Sequence, residues 1–536
     1  MTSENIVVRV KQGHLRGSIE QNDYGNEYMV FRGIPFAKPP VGPLRFKDPE
    51  PPEPWTGIRN ALEFGNNCAQ VDVITHQLIG SDDCLYLNVY STAIEDEEKH
   101  AVMVWIHGGA FKHGSSKDDI YGPDYLMRKD IVLVTFNYRI SILGFMNLEC
   151  EIATGNQGLK DQVMALRWVQ ENISSFGGDP NNVTIFGESA GAASVHLLTL
   201  SPMSQGLFHK AIAQSGVAFN PWAIQTEEPK KFTYMLAAKL GMDSTDPQTV
   251  INFLRTIDAK KLVITELELT GEQKPYMMFG TFGPSIDDVS PNPFLPQHPR
   301  ILMQKGINIP FLIGHNDNEG TLIVNLFREM GNDENLRYLN TNFDLVLPVE
   351  MIRSLQKDGI SPSDVKRLYF GDKLICKKTL QEYVDYISDM MFLQGIYEVV
   401  KVQMENNCQS TYLYKFTYDA TESLMRIFFN IALPRVTHAE ELQYLFYAHL
   451  GKRIKIEPAK VGTEKFKIID TVTQMWTDFA KTGNPTPKIT DLIKTIWKPI
   501  EKSDSYNYLN INRTLRMESI NVQEQKFDWK RIKNKL

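Results

Sequence analysis

Gly187-Glu188-Ser189-Ala190-Gly191 is a glycine–x–serine–x–glycine turn. The β-branched, apolar run Val183-Thr184-Ile185-Phe186 precedes it, and the helix-compatible stretch Ala192-Ala193-Ser194-Val195-His196-Leu197-Leu198 follows. A sharp strand-to-helix turn of this kind holds a serine hydroxyl out at the end of a parallel sheet, with small residues letting neighbouring backbone come close. Alone the pentapeptide is a weak signal, since a chain of this length holds roughly 0.2 chance matches. The flanking strand and helix give it weight. A serine hydroxyl is a poor nucleophile until a neutral imidazole takes its proton, and that imidazole needs a carboxylate to fix its tautomer. On this scaffold the chain order should be serine, acid, histidine.

That order narrows the choice of partners. Of eleven histidines, His196, His209, His298, His315, His438 and His449 follow Ser189. His196 falls two turns along the same helix and points away from a turn at its start. His438, in Pro434-Arg435-Val436-Thr437-His438-Ala439-Glu440-Glu441, occupies a loop before a helix, where a catalytic imidazole would be presented. His449 falls inside the following helix and reads as structural. The acid should end a strand, and after Phe311-Leu312-Ile313-Gly314 come Asp317 and Glu319, between which spacing does not choose. Acyl transfer also needs donors for an oxyanion. His107-Gly108-Gly109-Ala110-Phe111 follows the strand ending at Ile106, where such a loop belongs. Gly109 and Ala110 would supply two backbone N–H groups and Ala190 a third. Losing one donor costs roughly 3 kcal/mol of transition-state stabilisation.

The elements around these residues read as alternating strands and helices. Residues 6–10, 28–33 and 85–90 have strand character, and the nearly continuous apolar runs at 101–106 and 131–136 suggest strands buried on both faces. Residues 211–215 and 310–314 continue the series. Leu159 to Ile173 has helical spacing on one face and ends before Gly177-Gly178-Asp179-Pro180. Residues 225–305 and 320–410, richer in charge and helix formers, read as helical insertions covering the sheet. With no internal repeat or low-complexity linker, residues 1–536 read as a single domain.

Composition is that of an ordinary globular protein, 42% apolar and 23% charged. A net charge of −7 without a long basic stripe argues against nucleic acid as a partner. The basic tail from Lys526 to Leu536 reads as the end of a surface helix. No stretch reaches membrane-spanning length, and Met1-Thr2-Ser3-Glu4-Asn5 carries no apolar signal segment. Five cysteines in 536 residues fit a reducing compartment, so the expected location is cytoplasmic, with a processed secreted form as the alternative. Cys68 and Cys84 are the one plausible disulfide pair, and such a bridge would contribute about 3 kcal/mol. No Cys or His cluster has metal-ligand spacing, and no metal or cofactor is expected. Sequons stand at Asn172, Asn182 and Asn512.

Phe31-Arg32-Gly33-Ile34-Pro35-Phe36-Ala37, Asp83-Cys84-Leu85-Tyr86-Leu87-Asn88-Val89, Phe136-Asn137-Tyr138-Arg139, Gly158-Leu159-Lys160-Asp161-Gln162, the serine turn and Glu319-Gly320 run nearly end to end along the chain. In these segments the sequence resembles the type-B carboxylesterases of the cholinesterase–carboxylesterase family, most of all insect alpha-esterases. The resemblance implies an α/β-hydrolase fold: a central, mostly parallel mixed sheet flanked by helices, with helical insertions around an active-site gorge. It also implies a catalytic set of Ser189, Glu319 and His438, an oxyanion hole from Gly109, Ala110 and Ala190, and a substrate pocket including Gly108, Phe111, Glu188, Trp222 and Phe282. Arg139–Asp161, and Arg45 with Asp83, match ion pairs of the family.

Departures are informative. Ala110 takes a place where the family often has a third glycine, and alanine serves unless that site needs a positive φ. No tryptophan stands between Cys68 and Cys84 to hold a quaternary ammonium, which argues against a choline ester. Phe282 keeps one aromatic of an acyl-pocket wall while Gly280 removes the other, hinting at acyl groups larger than acetyl. Juvenile hormone esterases resemble the pattern but usually carry Gln where Glu188 stands. The implied activity is hydrolysis of apolar carboxylic esters through an acyl-enzyme, with small-molecule esters as substrates and organophosphates as covalent inhibitors. Detoxification or sequestration of xenobiotic esters, an esterase dedicated to one hormone or odorant, and a non-catalytic adhesion protein are the alternatives. The resemblance leaves monomer and homodimer open. Activity should fall as His438 becomes protonated, near or below neutral pH.

Overall fold

The computed structural model describes residues 5–93, 98–225, 229–272, 281–326, 332–408, 410–420, 423–522 and 525. Among these, thirteen strands form one sheet. They are β1 (Asn5–Val10), β2 (Gly13–Gln21), β3 (Glu27–Pro35), β4 (Ile58–Asn60), β5 (Tyr86–Ser91), β6 (His100–Ile106) and β7 (Ile131–Phe136). The rest are β8 (Gly178–Glu188), β9 (Lys210–Gln214), β10 (Phe311–Asn316), β11 (Thr411–Phe416), β12 (Ser505–Ile511) and β13 (Arg516–Asn521). The spatial order is β1-β2-β3-β5-β7-β6-β8-β9-β10-β11-β12-β13, with β4 beside β2. From β7 to β12 all neighbours are parallel. Antiparallel pairs extend both edges. The loops leaving β6, β8, β9 and β10 therefore emerge at one edge, and Ile106, Gly187 and Ala213 lie level across it. In open α/β sheets that carboxyl edge is where ligands bind.

Four helices matter to the site: α1 (Gln157–Asn172), α2 (Ala190–Leu200), α3 (Ala259–Glu272) and α4 (Glu464–Thr482). Both faces of the central strands are covered. Val102, Val104 and Ile106 belong to one core cluster with Leu159, Val163 and Leu166 of α1, whereas Met103 and Trp105 belong to a second with Ile469, Val472 and Trp476 of α4. That two-sided burial explains the unbroken apolar runs of β6 and β7, each such side chain contributing roughly 1.5–3 kcal/mol.

The strands and helix expected from sequence are present within a few residues, and β2, β11, β12, β13 and α4 are additional. Helical insertions follow β9 as expected up to residue 272, but residues 281–298 run without regular secondary structure. The expected Arg139–Asp161 pair is buried and bidentate, at 2.8 and 2.7 Å. Arg45, however, pairs with Asp82 rather than Asp83. Asp83 instead accepts the hydroxyl of Tyr86, at the start of β5, at 2.7 Å. Cys68 and Cys84 are disulfide-bonded. Asn172 is buried, its amide donating to the Trp168 carbonyl at 3.0 Å, so that sequon is closed to glycosylation. No helix among the described residues is long and apolar enough to cross a membrane. The chain from Lys526 onward, and Gly280, lie outside the described residues.

Candidate active site

β8 ends at Glu188 and α2 begins at Ala190, leaving Ser189 between them at φ 57°, ψ −122°. A non-glycine residue there carries roughly 1–3 kcal/mol of backbone strain and needs support. The support is on both sides. Ser189 N–H donates to the Gln214 carbonyl at 2.9 Å, and its own carbonyl accepts Ala193 N–H at 2.9 Å. Gly191 lets α2 leave the turn close to β6, since a Cβ there would fall 2.0 Å from the Ile106 carbonyl oxygen.

The loop after β6 lies against this turn: a Cβ added to Gly108 would be 2.9 Å from a Glu188 carboxylate oxygen and 3.1 Å from Ser189 Cβ. Tyr138 stacks on His107, with ring centroids 4.4 Å apart, and donates its hydroxyl to the His107 carbonyl at 2.9 Å. Gly109 follows at φ 105°, Ala110 at 54° and Phe111 at 60°. Ala110 therefore does occupy a left-handed site. Its N–H is retained, but alanine costs about 1 kcal/mol there that glycine would not.

His438 is placed by the strand-end turn after β10. Asn318 N–H donates to the Val436 carbonyl at 2.8 Å, Asn316 Nδ2 to the Thr437 carbonyl at 2.8 Å, and Arg435 clasps the Asp317 carboxylate at 2.7 Å. The Nδ1 of His438 then lies 2.6 Å from Glu319 Oε2, while Oε1 of Glu319 accepts the Ser215 hydroxyl and Asn316 N–H, both at 2.6 Å. The choice between carboxylates is thereby resolved. Asp317 is occupied by Arg435 and Lys415, which overcome burial and hold it well below the usual carboxylate range. Glu319, fully buried, meets the imidazole. Burial raises Glu319, yet His438, Ser215 and the Asn316 amide outweigh that and keep it below its ordinary value.

The other imidazole nitrogen, Nε2, faces Oε1 of Glu188 at 3.0 Å. Burial alone would push His438 down, but the Glu188 and Glu319 charges outweigh it and hold the imidazole well above its ordinary value. Glu188 itself is raised by burial against the pull of His438. Glu441 completes the cluster: burial, then the charges of Glu188 and Glu319, push it up to about 8. It accepts from Gln214 at 3.1 Å and from the Asn316 amide. The two flanking carboxylates thus favour the protonated form of the imidazole.

A strained serine turn, a donor loop and a carboxylate–imidazole pair at one sheet edge match what the comparisons with known proteins find. The Carboxylesterase family model matches residues 4–529. The chain belongs to the carboxylesterase family. It is 37% identical to a juvenile hormone esterase of Tribolium castaneum, over 91% of this chain and 85% of that one. It is 34% identical to esterase E4 of Myzus persicae, over 96% and 92%. The crystal structure of juvenile hormone esterase from Manduca sexta, with OTFP covalently attached, superposes at a TM-score of 0.86 with 28% identity over 99% of both chains. The molecule is a carboxylic ester hydrolase of α/β-hydrolase fold, and its resemblance to insect esterases is borne out.

In this esterase the remaining expected site residues are placed differently from one another. Trp222 donates its indole N–H to the Met391 carbonyl at 2.7 Å and lies near Ser189, since a Cβ on Gly216 would meet both Ser189 O and the Trp222 ring. Phe282 is buried, and Phe111 packs edge-on against Phe145 in the core. Three contributors escaped the sequence reading. Phe392, in a π-helical turn (Asp389–Leu393), packs its ring 4.5 Å from that of His438 and 5.9 Å from that of Trp222. Extra turns of this kind recur at functional sites. Ser215 follows directly on β9, and Glu441 stands three residues beyond His438. That short separation along the chain was the available signal. The other histidines serve elsewhere: His196 accepts Ala218 N–H at 3.0 Å, and His449 lies between Asp118 and Asp124.

Proposed function

We propose that the esterase hydrolyses apolar carboxylic esters through an acyl-enzyme on Ser189. Neutral His438 takes the Ser189 proton as Oγ attacks the carbonyl, and the N–H groups of Gly109, Ala110 and Ala190 hold the oxyanion. Collapse expels the alcohol, protonated by His438. Water then repeats the cycle on the acyl group, and Glu319 remains ionised, orienting the ring. Since Nε2 rests against Glu188, the imidazole exchanges Glu188 for the serine hydroxyl before it acts as the base. The observation that carries this reading is the 2.6 Å contact of His438 with buried Glu319 at the sheet edge that also presents Ser189. Hydrolysis of 4-nitrophenyl butyrate by the native enzyme and by Ser189→Ala tests it: an active variant sinks the assignment.

Trp222, Phe282 and Phe392 favour an apolar acyl or alcohol part. Two physiological readings then divide on specificity. The similarity to esterase E4 supports a broad xenobiotic esterase that turns over or sequesters organophosphates and other foreign esters. The similarity to two juvenile hormone esterases supports one dedicated to a hormone ester. A panel of esters of varied acyl length and alcohol separates them: a single substrate preferred by more than about a hundredfold favours the second. The Cys68–Cys84 bond supports folding in an oxidising compartment, the alternative to a cytoplasmic location.

A further inference from the structure

Glu266, on α3, belongs to an insertion outside the sheet, yet its side chain is only 2% exposed. Its carboxylate gathers donors from three other segments. It accepts the Ser141 hydroxyl and, at 3.2 Å, Ile142 N–H. The Thr281 hydroxyl donates to it at 2.6 Å, and the Lys112 ammonium stands 3.7 Å away. Each of these segments leads toward the site. Ser141 N–H donates to the Phe111 carbonyl at 2.6 Å, and Lys112 is the next residue, so both fasten the loop that carries Gly109 and Ala110. Thr281 precedes Phe282, and its carbonyl accepts the Gln225 amide at 2.9 Å, close along the chain to Trp222.

The loop needs fastening. Ala110, Phe111 and Ser141 all hold positive φ, at 54°, 60° and 60°, without being glycine. Such conformations persist only where their surroundings over-determine them. An oxyanion donor, moreover, works only when held within a fraction of an ångström of its productive place. We propose that Glu266 is a positioning residue for ester hydrolysis, locking the oxyanion-binding loop in its donor geometry and coupling that loop to the wall of the acyl pocket. This inference rests on the oxyanion role given above to Gly109 and Ala110.

Glu266→Gln and Glu266→Ala test it, read by steady-state hydrolysis of 4-nitrophenyl butyrate, inhibition by a trifluoromethyl ketone, and far-UV circular dichroism. Glutamine keeps an acceptor for Ser141 but loses the charge facing Lys112, so kcat should fall about tenfold, and about a hundredfold for alanine. KM should stay within about threefold, and ketone affinity should fall in parallel with kcat/KM, because both report the tetrahedral oxyanion. Should the alanine variant not fold, Ser141→Ala, which cuts one link while leaving Glu266 in place, should still lower kcat several-fold. A folded glutamine variant with native kcat and native ketone affinity overturns the proposal. So does a loss that only tracks the folded fraction. An inert native enzyme, or an active Ser189→Ala, would instead overturn the underlying catalytic assignment.

Discussion

His438 and His449 stand eleven residues apart, and each imidazole is bracketed by two carboxylates. His438 lies between Glu319 at 2.6 Å and Glu188 at 3.0 Å. His449 lies between Asp124 at 2.8 Å and Asp118 at 3.2 Å. In both, the paired anions outweigh burial and raise the imidazole's proton affinity. Their surroundings differ. His449 is 24% exposed, and its partners are themselves tied down: Asp118 stands 3.8 Å from Arg32, and the segment around Asp124 is bonded to Asn22. It is a staple between surface segments. His438 is 5% exposed, at the carboxyl edge of a parallel sheet, and meets Glu188, the residue directly before a serine whose backbone is strained into a tight turn. Two carboxylates make an imidazole basic anywhere. Only a neighbouring nucleophile and an exchangeable partner make that basicity useful.

The contrast can be broken most severely at the imidazoles themselves. His438→Ala should lower kcat for 4-nitrophenyl butyrate by roughly 10⁶-fold, whereas His449→Gln should keep it within about twofold. Comparable losses in both would erase the distinction. Next in size is Glu188→Gln. Removing one anion lowers the proton affinity of His438, so the acid limb of the kcat/KM profile should move to lower pH, with the plateau reduced several-fold. A limb that stays put or moves upward would show that Glu188 does not set the imidazole's charge.

The smallest effect sharpens the other half of the comparison. Because His449 is raised to about 9, its contribution to stability is full below an ordinary imidazole value of 6.5 and is lost as pH rises through 9. Allowing for solvent screening, the native enzyme should lose about 1–2 kcal/mol over that window by denaturant unfolding. His449→Gln should show no such loss.

Much of this was legible in the chain because backbone demands restrict residue choice. The turn at Ser189 demands small residues at Gly187 and Gly191, where the backbone comes close, and unbroken apolar runs betray strands covered on both faces. The edges were harder to read. β2 carries glycines and charges on a half-buried face, and β13 is largely exposed, so neither shows the pattern of a core strand. Three-dimensional pairings were beyond spacing altogether. Adjacent Asp82 and Asp83 take different partners, Arg45 and the Tyr86 hydroxyl, and Phe392 reaches His438 through an extra helical turn that no periodicity announces. Glu319 was distinguished from Asp317 by resemblance alone. The physical reason, an arginine and a lysine that occupy Asp317, became visible only with the chain folded.

The central claim is that a single hydroxyl, that of Ser189, carries the acyl group, and reaction with paraoxon followed by peptide mass spectrometry tests it most directly. One diethylphosphoryl group per chain on the peptide holding Ser189, appearing in step with loss of activity and slowed sharply by His438→Ala, is the predicted result. Inactivation with Ser189 unmodified and the label on another residue would contradict it.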